Sequence, residues 1–161
     1  MKLEKWYEKA GKIFDSLVSK HDLIYHNGDD NMTFCDKTGT WALRIPGHVV
    51  LSARDESHDE REKGLTIHNC FDAAVSARDY ILVKEIENGT VRGKKAVRLT
   101  NGNGVSAIVN NKYLRPFPKN ADFYVKNATS PVIVSIWENA KCNIIAIVCP
   151  AMTHDFKPNN G

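Results

Sequence analysis

The side chains able to carry chemistry are few and scattered. His58-Asp59-Glu60 and His68-Asn69-Cys70 set imidazole beside carboxylate and thiol, the groups that bind zinc or pair a nucleophile with a base. A His-x-Cys spacing is too tight for the usual zinc pair, and no second matched pair follows it. Cys35, Cys70, Cys142 and Cys149 form no Cys-x-x-Cys motif, so they read as small hydrophobes kept reduced. No P-loop, G-x-S-x-G, H-E-x-x-H or dinucleotide glycine pattern is present. Asn101-Gly102-Asn103-Gly104 lacks the helix that would make it a phosphate cradle, and reads as a turn. The expectation is a non-enzymatic protein with no metal and no cofactor. An enzyme of unrecognised type stays open as an alternative.

Charge is more informative than any motif. Residues 1–80 hold 11 Lys/Arg against 14 Asp/Glu, whereas residues 81–126 hold 9 against 3. The basic segment comprises Arg92, Lys94, Lys95 and Arg98, followed by Lys112, Arg115 and Lys119, with Tyr113 and Phe117 interleaved. Cations beside aromatic rings suit a nucleic-acid backbone or an acidic protein surface; a solvated sheet face is the competing reading. Strand alternation puts Lys94 and Arg98 on one face and Lys95 on the other.

These residues need elements to position them. Leu3, Trp6, Tyr7, Ala10, Ile13, Phe14, Leu17 and Val18 recur at helical spacing, with Lys5, Lys9, Lys12 and Asp15 between them. This predicts an amphipathic helix over residues 3–18 packed on a sheet. Strands are expected at residues 23–26, 32–36 and 41–46, joined by Asn27-Gly28-Asp29-Asp30 and Lys37-Thr38-Gly39-Thr40, with 48–54 as an extension. Residues 55–64 contain no apolar side chain and read as an exposed loop, with a helix starting near Asn69 or Asp72. Three strands around 81–110 follow, turning at Asn88-Gly89 and at 101–104. Next comes a short helix in Asn111–Phe117, ended by Pro116 and Pro118. Three more strands run to residue 152. The fold class is α+β, a mostly antiparallel sheet with an N-terminal amphipathic helix, forming one domain over 1–152 with a flexible tail at 153–161.

Nothing at the N-terminus reads as an export signal, because Glu4 and Glu8 interrupt the apolar residues. The apolar run from Cys142 to Met152 is too short to span a bilayer. The expectation is a cytoplasmic protein with no membrane contact. The three Asn-x-Thr sequons then carry no meaning.

The C-terminal third carries a family likeness. Val109, Asn110, Tyr113 and Leu114, then Ser130, Pro131 and Val132, then Val148, Cys149, Pro150 and Ala151 follow a recurrent pattern. An asparagine-ended strand runs into a Tyr-Leu helix, a Ser-Pro strand and a terminal strand. Over residues 105–152 this resembles the last domain of the bacterial DNA polymerase sliding clamp. The resemblance implies a single clamp-domain-like unit, of the kind expected in a phage or mobile element. It also implies a peptide groove lined by Val132, Ile147, Cys149, Pro150 and Ala151. Cys149 and Ala151 stand where the family has methionines, which implies a lost or narrowed peptide-binding role. The expected partner is DNA or a DNA-processing protein. The alternative is a phage-encoded inhibitor of a host defence nuclease, of the anti-CRISPR type.

Overall fold

A computed structural model describes residues 2–47, 58–151 and 155–159. The N-terminal periodicity forms α1 (Leu3–Ser19), whose Trp6, Ala10, Phe14 and Leu17 are buried. Three strands follow, β1 (Leu23–Asn27), β2 (Asn31–Asp36) and β3 (Trp41–Pro46), then α2 (His58–Ser76). The next block is β4 (Ile81–Val91), β5 (Lys94–Asn101) and β6 (Ser106–Asn110), and the one-turn α3 (Asn111–Leu114) leads to the last. That block is β7 (Asp122–Val125), β8 (Val132–Glu138), β9 (Lys141–Val148) and β10 (Phe156–Pro158). Among the described residues, a helix followed by three strands thus occurs twice, and α3 is followed by four.

The described strands join one sheet in the order β1-β2-β3-β9-β8-β7-β4-β5-β6, with β10 on β4, and every pair among them is antiparallel. The fold is α+β and mainly sheet. Block β7–β9 lies between the two earlier blocks and welds them together. One sheet face carries a core in which Trp6, Phe14 and Leu17 of α1 meet Phe34, Leu43, Val132, Val134 and Val148. Val97, Leu99, Ala107 and Val109 join that same core, so β5 and β6 fold over towards α1. The opposite face carries Ile24, Cys35, Ala42, Ile133 and Ile147 under Phe71 and Ala74 of α2. Burial pushes the Cys35 thiol up to about 12, so it stays protonated.

The loop expected at 55–64 is helical from His58 onward, and α2 starts well before Asn69. Residues 61–63 are Arg, Glu and Lys, good helix formers that need no burial because only one face of α2 touches the sheet. That face is anchored at Gly64, where an added Cβ would lie 2.1 Å from the Tyr25 carbonyl oxygen. Residues 48–54, read as a strand extension, and 55–57 lie outside the described residues.

The turn expected at Asn88-Gly89 is also displaced. Both residues lie inside β4, and the chain reverses at Arg92-Gly93, with φ of 51° and 79°. Paired left-handed residues make the tight hairpin turn that matches strand twist. Gly89 is needed elsewhere: a Cβ there would lie 2.3 Å from the Lys157 carbonyl oxygen of β10. That strand corrects the flexible tail as well, because Phe156, Lys157 and Pro158 pair with Val91, Thr90 and Gly89. No helix among the described residues is long and apolar enough to cross a membrane.

Candidate functional site

The basic residues gather where α1 meets α3. At 100° per residue, Lys5, Lys9 and Lys12 fall within an arc of about 60° on the α1 surface, while Glu4, Glu8 and Asp15 occupy a separate arc of about 40°. Three contacts turn the lysine flank towards α3. Trp6 packs on Phe117 with ring centroids 5.3 Å apart, and Lys9 Nζ donates to the Pro116 carbonyl at 2.6 Å. Ile13 lines a cavity shared with Lys112 and Tyr113. At the N-terminal end of α1 the Leu3 N–H donates to the Glu138 carboxylate at 3.4 Å.

The short α3 is set by its ends. Asn110 caps it by accepting from the Lys112 N–H at 3.1 Å, and Pro116 cannot extend it. One turn of helix leaves Lys112 and Arg115 exposed, with Lys119 exposed beyond it. Lys112 Nζ stands 5.0 Å from the Tyr113 ring centroid, within cation–π range. Among the described residues, no ion pair ties Lys5, Lys9, Lys12, Lys112, Arg115 or Lys119 to an acid. Between α1, β3 and α3 lies a cavity of about 120 Å³ lined by Ile13, Trp41, Leu43, Tyr113, Pro116 and Phe117, with Lys112 beside them.

The other basic candidates divide. Arg92 pairs with Asp155 at 3.2 Å, and Arg98 pairs with Glu87 while its guanidinium lies 4.8 Å over the Phe156 ring. The Arg98 charge is largely spent within the fold, whereas Arg92 stays 80% exposed in its pair. Lys94 and Lys95 are exposed, and Lys95 lines a separate hollow of about 300 Å³ with Asn88, Asn111 and Asn159. The structure therefore groups Lys112, Tyr113, Arg115 and Lys119 with the α1 lysines, while Lys94, Arg92 and Arg98 serve the β4–β5 hairpin. Lys5, Lys9 and Lys12 were missed from sequence, although the separation of lysines from acids around the helix was readable.

The five residues proposed for a peptide groove do not converge. Val132 is buried in the α1-side core and Ile147 in the α2-side core, on opposite sheet faces. Cys149 is exposed, with its N–H bound to the Thr40 carbonyl at 2.8 Å. Ala151 donates its N–H to Ile108 at 2.6 Å. Side-chain alternation explains the split, since Val132 and Ile147 sit one register step apart on neighbouring strands.

His68 faces inward, unlike Cys70, which is exposed. Its Nδ1 lies 3.0 Å from Thr33 Oγ1 and 3.2 Å from an Arg44 nitrogen, and its Nε2 lies 3.3 Å from Asp72. Arg44 also reaches Asp72 at 2.8 Å and lies 4.0 Å over the Phe71 ring. Burial first, then the Arg44 guanidinium, hold the His68 pKa below its ordinary value, against the pull of Asp72. A neutral ring fits these partners: Nε2–H donates to Asp72, and Nδ1 accepts from Thr33 and Arg44. Asp72, His68 and Thr33 stand in the order of a hydroxyl-activating triad, but Thr33 is 1% exposed and out of reach of any substrate. The network ties α2 to the sheet. No cluster of three His, Cys, Asp or Glu able to hold a metal ion occurs among the described residues.

No protein-family model, curated protein or solved structure matches this chain.

Proposed function

We propose that this chain is a non-enzymatic nucleic-acid-binding domain that holds the phosphate backbone on its α1–α3 surface. The observation that supports this reading is the sorting of α1. Its lysines lie on the flank that meets the α3 segment, and its acids lie on a separate arc. An evenly solvated helix has no reason to separate its charges that way. Cations without an acidic partner are the groups that exchange bound counterions for phosphates. Half-buried Tyr113 adds an aromatic face beside them.

The test is fluorescence anisotropy with a labelled oligonucleotide across a range of salt concentrations. The logarithm of affinity should fall linearly with the logarithm of salt. Each of Lys5→Ala, Lys12→Ala, Lys112→Ala and Arg115→Ala should reduce the slope by about 0.7–0.9 if its side chain meets a phosphate. Salt-independent binding, or no binding, would overturn the reading.

A further inference from the structure

The cavity between α1, β3 and α3 has a size and setting that narrow the ligand. Its volume is about 120 Å³, and its walls are the apolar parts of Ile13, Trp41, Leu43, Tyr113, Pro116 and Phe117. An engineered apolar cavity of about 150 Å³ accepts one benzene ring, so this space is of the size that takes a single flat ring. An occupant must also tolerate its surroundings, because Lys112 stands at the lining, Lys9 is anchored to Pro116, and Lys12 and Arg115 are exposed nearby. The charge complement is therefore an anion carrying a flat, ring-sized group.

We propose that this cavity takes one unpaired pyrimidine base of a nucleic-acid strand, DNA or RNA, whose adjoining phosphates lie on the lysine flank. This rests on the phosphate-binding reading above and adds to it a preference for single strands. A base in a duplex is stacked on both faces and paired along its edge, so it cannot enter a pocket without first being unstacked and unpaired. An unpaired base exchanges weak stacking in solution for the aromatic walls of Trp41, Tyr113 and Phe117, and keeps its polar edge at the Lys112 side. The apolar lining offers no donor pattern for reading that edge, so selection is by ring size and not by hydrogen bonding. Thymine gains most, because its methyl group is apolar.

The test compares four labelled ligands of equal length with the intact chain: oligothymidylate, oligodeoxyadenylate, an abasic strand and a blunt duplex. Oligothymidylate should bind about tenfold more tightly than the abasic strand, the effect of one stacked base, and more tightly than the adenylate or the duplex. Ile13→Trp, which fills the cavity, should bring thymidylate down to the abasic level without changing the salt slope. Tyr113→Ala, which removes one wall, should have the same sign and covers the case in which the larger side chain disturbs folding. Equal binding of all four ligands, with the salt slope intact, would overturn the base site and leave the phosphate reading standing. Thymidylate binding untouched by both variants would also overturn it, and would leave the cavity to another occupant such as an apolar side chain of an acidic protein. Failure of every oligonucleotide to bind would remove both readings.

Discussion

Lys9 and Pro116 lie 107 residues apart in the chain, and the ammonium of one donates to the carbonyl of the other at 2.6 Å. This bond joins α1 to the α3 segment beside the Trp6–Phe117 ring contact. Lys9→Met keeps the aliphatic stem and removes the donor. It is expected to cost about 1–2 kcal/mol in urea unfolding, since a charged donor serves a part-buried carbonyl. Lys5→Met on the exposed flank should stay within about 0.5 kcal/mol of wild type. Equal losses would mean that Lys9 acts only through its charge.

Phe14 fills the centre of the α1-side core. It is 1% exposed and meets Phe34 and Tyr25 edge-on at 5.3 and 6.0 Å between ring centroids. Phe14→Ala should destabilise the domain by about 3–5 kcal/mol through lost burial and the cavity left behind. A loss below about 1 kcal/mol in thermal or denaturant unfolding would show that the helix does not close this core.

What the sequence disclosed follows from how local each signal is. The α1 stripe was readable because eight apolar residues keep one helical face, and the strands of β1–β3 because Gly28 and Gly39 punctuate them. The start of α2 was not, because its apolar contacts to the sheet begin at Ile67, Phe71 and Ala74, leaving residues 58–64 without an apolar side chain. Asn88-Gly89 misled because a strong local turn pair was overruled by a distant strand pressing on Gly89. The candidate site was half legible. Lys112, Tyr113 and Arg115 stood out by composition, but their junction with the α1 lysines depends on tertiary contacts that no spacing reveals.

Stability should depend on pH through His68. In the unfolded chain a histidine takes up its proton near pH 6.5, while in the fold burial and Arg44 depress that pKa, with Asp72 opposing and the tilted His26 ring adding to the depression. Between the two values the unfolded state binds more protons, so stability rises with pH there. The contribution is fully present above about pH 6.5 and is lost as pH falls through the folded value. Denaturant unfolding across that window should show the rise. His68→Asn, which keeps a neutral acceptor near Thr33 and Arg44, should flatten it; an unchanged slope would assign the effect to another group.

The C-terminal strand is expected to be structural. Phe156 stacks under Arg98, Lys157 crowds Gly89, and the Asn159 N–H donates to the Asn88 carbonyl at 3.1 Å. Phe156→Ala should cost about 1–2 kcal/mol, less than a fully buried ring because the residue is half-exposed. Hydrogen exchange should quicken along β4 near Thr90 before it does in β8. Unchanged exchange there would mean that β10 pairs too weakly to hold its partner.

The sorting of charge around α1 separates a local surface from mere net charge. The chain carries a formal net charge of +3, and a protein that bound nucleic acid only through its overall charge would respond to any substitution that changes it. Lys12→Glu and Asp15→Lys alter the total by equal and opposite amounts, yet the two positions lie on different flanks of the same exposed helix surface. Lys12→Glu should weaken oligonucleotide binding severalfold and reduce the salt slope by about one phosphate contact. Asp15→Lys adds a cation on the acidic arc of α1, so it should change affinity much less than Lys12→Glu does. Lys12→Glu is at an exposed position and should leave stability within about 0.5 kcal/mol. If the two variants shift affinity by equal and opposite factors, binding follows net charge, and the junction of α1 with α3 has no special role in it.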